Sequence, residues 1–235
     1  VFFDFEQGVD GIRDAATKLS FHNSDPIPII SGNVSFYNES KQGNAVVPSP
    51  VICAVGKMDS ITSAKTSQLF NDDLTLILIG KRYSEFAETQ LQPYLSEFSK
   101  VAPQVRFEDE KEQNWLILEL YKHNLIESCH DISMGGLWVT LVEMVLGERG
   151  KPFVGLTIDL SSSQNLIEDL FSENGGYVIA THNLDQVNNI CEQSNVFYQN
   201  LGKTNQTKEL TIKTDSGHLA WPLDMISNQW NQYNP

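Results

Sequence analysis

The 235-residue sequence predicts an α/β (α+β) fold, a mixed β-sheet flanked by helices. Three observations carry this. From residue 70 onward, short apolar runs of strand length alternate with stretches whose apolar residues recur at helical spacing. Several of these segments are bounded by Gly, Asn, Asp or Ser. No internal repeat of fixed period and no low-complexity tract interrupts the pattern.

Residues 7–24 place Val9, Ile12, Ala16 and Leu19 near a 3.6-residue spacing, which predicts a helix ended by Asp25-Pro26. Ile27–Ile30 reads as a short buried strand, confined by Pro28 to an edge or a strand start. Ala45–Gly56 is a second apolar stretch, and the polar segment Lys57–Leu69 reads as a crossover. A boundary near 65–70 therefore divides the chain into regions 1–65 and 70–235. In the second region Leu74–Gly80 is a buried strand, and Tyr83–Ser99 a helix that Pro93 bends or divides. Gln113–Leu125 is an amphipathic helix, Glu127–Ser133 a short strand entering a turn, and Gly135–Gly147 an apolar, buried helix. Strand Val154–Leu160, helix Ser163–Phe171, strand Tyr177–Thr181 and helix Leu184–Ser194 follow. Strands Val196–Gly202 and Leu210–Lys213 and a closing helix Leu223–Tyr233 complete the order.

Composition narrows the function. Sixteen Lys and Arg against 30 Asp and Glu give a net charge of −14, with no basic cluster, which argues against nucleic-acid and anionic-membrane partners. The apolar runs Leu74–Ile79 and Leu137–Leu146 are shorter than the roughly 20 residues a membrane span requires. Three widely spaced cysteines, Cys53, Cys129 and Cys191, form no disulfide framework and fit a reduced, cytoplasmic setting. Three glycosylation sequons, at Asn33, Asn38 and Asn205, carry little weight beside the absence of a visible signal peptide. The opening Val1-Phe2-Phe3-Asp4-Phe5 reads as the middle of something, a fragment or a processed chain.

Several chemistries lack sequence support. There is no Cys-x-x-Cys, no His-x-x-x-His, no Walker A loop and no Gly-x-Gly-x-x-Gly. Cys129-His130-Asp131 has the residue types of a triad, but neighbours on a strand point to opposite faces and cannot line up as a relay. Two segments remain. In Ser31-Gly32-Asn33-Val34-Ser35, Gly32 lets a ligand approach the backbone, Ser31 and Ser35 can donate to phosphate oxygens, and the Asn33 carbonyl suits Mg²⁺. The same residues also make an ordinary turn. In His130–Leu137 a strand runs through Gly135-Gly136 into a helix start, where N–H groups and the positive dipole end favour an anion. The alternative is a tight turn capped by Asp131 or Ser133, with His130 a satisfied core histidine.

Together these segments resemble phosphoribosylformylglycinamidine synthase, an ATP-dependent ligase family of purine biosynthesis. The resemblance rests on Ser31–Glu39, then Val47-Pro48-Ser49-Pro50-Val51-Ile52 with Gly56, then His130–Leu137 with Glu143, in that order. It covers most of the chain and is weakest from Val154 onward. It implies two tandem repeats, each a dimerising N-type sheet domain followed by a C-type α/β domain like that of aminoimidazole ribonucleotide synthase. This chain then corresponds to the tail of the second N-type domain, 1–65, and the second C-type domain, 70–235. The implied substrate is formylglycinamide ribonucleotide, with ATP and Mg²⁺ as cofactors. Ammonia comes from a separate glutaminase subunit through a small bridging subunit. By resemblance Gly32 contacts ATP, Asn33 binds Mg²⁺, and Ser35 touches the substrate, with Ser31, His130, Gly135 and Gly136 added on the substrate side. The family's catalytic histidine and main metal carboxylates belong to the first repeat, so no catalytic residue is assigned and the chain alone is expected to be inactive. The third motif departs from the family at Met134, where an acidic residue is usual. Sister enzymes of the same fold, of the aminoimidazole ribonucleotide synthase, selenophosphate synthase or thiamine-monophosphate kinase type, are one alternative. A non-catalytic interaction lobe is the other.

Overall fold

A computed structural model describes residues 2–21, 24–33, 39–44, 49–95, 100–147 and 152–233. The chain divides into two units, residues 1–61 and 62–235.

Among its described residues the first unit contains one α-helix, α1 (Phe2–Lys18), and no residue of α1 is buried. The helix begins earlier and ends sooner than its apolar spacing predicts. Its end is closed by the returning chain, where the Ile27 amide donates to the Ala16 carbonyl at 2.8 Å. Ile27–Ile30, expected as a buried strand, is irregular and exposed, with Ile29 at 67%. No described neighbour offers it a ladder, and an apolar run without a pairing partner is no strand. Of the stretch 45–56, residues 45–48 lie outside the described residues. The remainder is irregular and exposed, Val51 at 96%.

The second unit is built on a seven-stranded sheet. Its strands are β1 (Thr75–Ile79), β2 (Ser128–Asp131), β3 (Gly155–Asp159), β4 (Tyr177–Thr181), β5 (Tyr198–Asn205), β6 (Glu209–Thr214) and β7 (Gly217–Pro222). They stand in the order β2-β4-β1-β5-β3-β6-β7. The ladders are antiparallel except that of β3 with β6, which makes the sheet mixed.

Central β1 explains the two-sided core. All five of its residues are buried, and its period of two sends Leu76 and Leu78 to one face and Ile77 and Ile79 to the other. Strand β4 splits likewise, Val178 and Ala180 against Ile179. On the first face lie helices α3 (Gly136–Leu146), α4 (Leu166–Phe171) and α6 (Leu223–Tyr233), where Trp138 meets Trp221 edge-on at 4.7 Å between ring centroids. On the second face lie α2 (Phe107–Lys122) and α5 (Leu184–Gln193). Helix α2 buries Gln113, Leu116, Ile117 and Leu120, the i, i+3, i+4, i+7 stripe of an amphipathic helix. Its first turn carries Glu108, Asp109 and Glu110 and its last Lys122, the polarity the helix dipole favours.

Two expectations fail here. Tyr83–Ser99 is no helix. Residues 81–86 are irregular, Glu88 adopts φ 63°, and Gln92–Tyr94 forms a single 3₁₀ turn, while 96–99 lie outside the described residues. A left-handed Glu88 cannot continue a helix, and Ser84 and Glu85 are drawn to distant partners. Strand β7 was not expected. It closes a hairpin with β6 across Asp215-Ser216, where Thr214 pairs with Gly217 at φ 143°.

Candidate functional site

The strand ends gather the chemistry. In register, Ile79 of β1 stands beside Tyr177 of β4 and Tyr198 of β5, and Asp131 of β2 beside Tyr177. The end of β2, the start of α3 and the loop 172–176 therefore meet at one end of the sheet.

His130 joins β2 to α3. Its Nδ1 lies 2.8 Å from the Asp131 carbonyl oxygen and its Nε2 3.1 Å from Oε2 of Glu143, inside α3. Thr140 Oγ1 donates to the same Asp131 carbonyl at 3.1 Å. His130 does not engage Cys129, whose thiol packs toward the α2 side and is pushed up to about 12 by burial. A thiol held that high is a poor nucleophile.

The turn into α3 requires both glycines. Gly135 has φ 81° and Gly136 φ 67°, and a Cβ on Gly136 would fall 2.8 Å from the backbone of Leu170 and Phe171. Gly135 caps the helix without a side chain of its own. Its amide donates to Glu173 Oε1 at 2.9 Å, and that oxygen also accepts from the Gln90 amide at 2.9 Å. The Gly136 amide donates to the Ser133 carbonyl at 3.1 Å. The anion-favouring helix start thus already holds an anion, the carboxylate of Glu173, and neither Asp131 nor Ser133 caps it by a side chain.

Glu173 owes its place to a network that motif reading did not reveal. Arg82 is buried and clamps the loop by donating to the Asn174 and Gly175 carbonyls, each at 2.6 Å. Burial pulls its guanidinium down to about 10. Gly176 must be glycine, because a Cβ there would lie 2.6 Å from both Arg82 Nη2 and the Ile79 carbonyl. Beside the clamp, Glu85 accepts from Arg106 Nη2 at 2.5 Å, the Gln104 amide at 2.9 Å and Asn174 Nδ2 at 2.8 Å. The Arg106 hydrogen bond leads in holding the Glu85 carboxyl down at about 2. The Arg106 guanidinium stacks over Tyr83 at 3.5 Å from the ring centroid. The sequence signal for this network was faint, a lone Lys-Arg-Tyr following a buried strand.

Two cavities open at this end, of about 310 and 120 Å³, sharing Glu110, Gln113 and Gly175 as walls. The smaller reaches Asp131, beside His130.

The other predicted residues belong to the first unit. Ser31, Gly32 and Asn33 lie in exposed, irregular chain, with nothing among the described residues within 4 Å of where a Gly32 Cβ would stand. Ser35 lies outside the described residues. Among the described residues no three His, Cys, Asp or Glu side chains are grouped to hold a metal, and no helix is long and apolar enough to cross a membrane.

A mixed sheet covered by helices on both faces, with its glycine turn and loops at the strand ends, defines an α/β domain of the synthase-related kind. The chain belongs to the family described as AIR synthase related protein, C-terminal domain, which residues 75–215 match. Among curated proteins it is similar to phosphoribosylformylglycinamidine synthase subunit PurL of Methanothrix thermoacetophila, 37% identical over 184 residues. That match covers 76% of this chain and 23% of the relative. PurL of Tropheryma whipplei is 30% identical over 214 residues, covering 90% and 27%. The chain thus spans about a quarter of the length of these relatives. Among solved structures, T. maritima PurL complexed with FGAR superposes with TM-score 0.59 at 15% identity, over 71% of this chain and 30% of that one. T. maritima PurL complexed with ATP gives 0.56 at 14%, over 71% and 28%. At such identities the likeness is one of fold.

Proposed function

We propose that this chain is part of an ATP-dependent ligase of purine biosynthesis. The ligase converts formylglycinamide ribonucleotide, ATP and ammonia to formylglycinamidine ribonucleotide, ADP and phosphate. One observation carries the reading: 76–98% of the chain aligns with curated proteins named as PurL subunits of phosphoribosylformylglycinamidine synthase. The T. maritima PurL complexes with FGAR and with ATP, and the PurLQS assembly, are in keeping with it. In this reading region 1–65 is the tail of an N-type domain and 70–235 a C-type domain. The nitrogen arrives from a glutaminase subunit through a bridging subunit, in the cytoplasm, and the chain alone does not turn over.

A net charge of −14 is a poor field for two phosphate-bearing ligands, so cations and oriented N–H groups must supply the attraction. Gly32 admits ATP to the backbone. Asn33 provides one oxygen for Mg²⁺, an octahedral ion that takes phosphate oxygens and water at its other positions. That single carboxamide fits a shared ion better than a resident one. Ser31 and Ser35 donate to the substrate. His130, tied to Glu143, sets the turn that presents Gly135 and Gly136, where a substrate phosphate takes the place of Glu173.

Calorimetric titration of formylglycinamide ribonucleotide into the chain, with and without Mg-ATP, tests this beside Ser35→Ala. The expected result is saturable binding that the variant weakens about tenfold, the worth of one charge-assisted hydrogen bond. Absence of binding, or binding that Ser35→Ala leaves unchanged, contradicts the assignment.

A further inference from the structure

The start of α3 is closed by a distant residue. Asp131 and Ser133 stand nearby in sequence, yet the Gly135 amide is held by Glu173, 38 residues along the chain on the loop between α4 and β4. The same oxygen, Oε1, accepts from the amide of exposed Gln90 at 2.9 Å. Gln90 also reaches Met134 beside the turn, its Nε2 3.8 Å from the sulfur. Segment 88–92 is therefore a strap tied to the helix start, and a single carboxylate oxygen makes the tie.

Two sources of positive potential meet at residue 173. One is the amino end of α3, an 11-residue helix. The other is Arg82, only 4% exposed. It donates to the carbonyls of Ser172, Asn174 and Gly175, on both sides of Glu173, and among the described residues its Nε has no partner. A buried guanidinium bonded to neutral oxygens keeps its charge uncancelled, so this loop favours an anion beside it. The clamp grips backbone and does not involve the Glu173 side chain. The loop can thus stay anchored while the carboxylate swings away.

We propose that Glu173 is an autoinhibitory latch. Its carboxylate fills the anion position at the start of α3 and holds strap 88–92 there, and a phosphate-bearing ligand must displace it from Gly135, which frees the strap. The inference rests on the reading that a substrate phosphate comes to Gly135, and adds that an internal competitor closes that position. Apparent affinity is then reduced by the fraction of molecules whose latch is open, because a tethered carboxylate competes at high effective concentration.

The test is a titration of inorganic phosphate into the ¹⁵N-labelled full chain, followed at the Gly135 and Gln90 amides, for the parent, Glu173→Gln and Glu173→Ala. Glu173→Gln keeps an oxygen that can accept from both amides, so it preserves the fold while removing the charge. Saturable shifts at Gly135 are expected, tightening about tenfold from the parent to Glu173→Ala, with Glu173→Gln between them. In the parent, saturating phosphate should also speed hydrogen exchange of the Gln90 amide about tenfold. A merely structural Glu173 would lower the melting temperature on substitution and leave phosphate affinity unchanged, which overturns the proposal. So does phosphate that leaves Gly135 unshifted in all three chains, or that leaves Gln90 exchange unaltered. The ligase reading is judged separately, by Ser35→Ala, so each can fail without the other.

Discussion

Two apolar runs of similar length behave in opposite ways. Ile27-Pro28-Ile29-Ile30 lies exposed and irregular, while Leu76-Ile77-Leu78-Ile79 is fully buried at the centre of a sheet. Hydrophobicity does not separate them. The second run has β4 and β5 on its two edges and a helical layer on each face, and the first has neither among the described residues. A strand is a relation between segments, which an apolar run can enter only where partners exist. The same contrast divides the two units, one with two packed cores and one whose only described α-helix buries nothing.

Substitution should widen the contrast. Leu76→Ala should cost about 2–5 kcal/mol in denaturant unfolding, the range for emptying a packed core position. Ile29→Ala should stay within about 0.5 kcal/mol, as surface changes do. Comparable losses at the two sites would erase the distinction.

Next in size is the glycine turn. Gly136→Ala forces a Cβ against the Leu170–Phe171 backbone at a positive φ, and should destabilise the second unit by about 2–4 kcal/mol. At Gly32, where that space is open, alanine should leave stability unchanged within about 0.5 kcal/mol. Thermal unfolding of the two variants compares them directly.

A smaller effect sits at Glu85. Its carboxyl is held down at about 2 in the folded chain, from an ordinary 4.5, mainly by Arg106. The stability it adds is therefore complete above about pH 4.5 and is lost as pH falls through about 2. Solvent screens the pair, so its contribution is on the order of 1 kcal/mol. Glu85→Gln should flatten the acid limb of the stability curve while leaving its neutral limb parallel to that of the parent. Unchanged curvature would mean that the Arg106 pair contributes nothing in solution.

What the sequence disclosed follows the same logic. Strand β1, helix α3 between its glycines and the closing helix α6 were legible because each carries its own signal: an unbroken apolar run, the Gly135-Gly136 pair at the start with Gly147 at the end, and a helical stripe. Segment 83–95 was misread as helix because Glu85 and Ser84 answer to Arg106, Asn174 and Glu168, contacts 21 to 89 residues away that no local window contains. At the site, the residues of the β2–α3 turn could be picked out, but not that Glu173 would occupy the Gly135 amide. That placement depends on Arg82 holding a loop more than 90 residues downstream. Strand β7 was hidden because Gly217–Pro222 is almost wholly exposed and has no apolar alternation to show.

The most direct measurement of the central contrast is native-state hydrogen exchange along the whole chain. The amides of β1, β4 and β5 should exchange only through global unfolding of the second unit, and those of α1 through local opening, orders of magnitude faster. Protection of α1 equal to that of β1 would contradict the account, since it would give the first unit a core of its own.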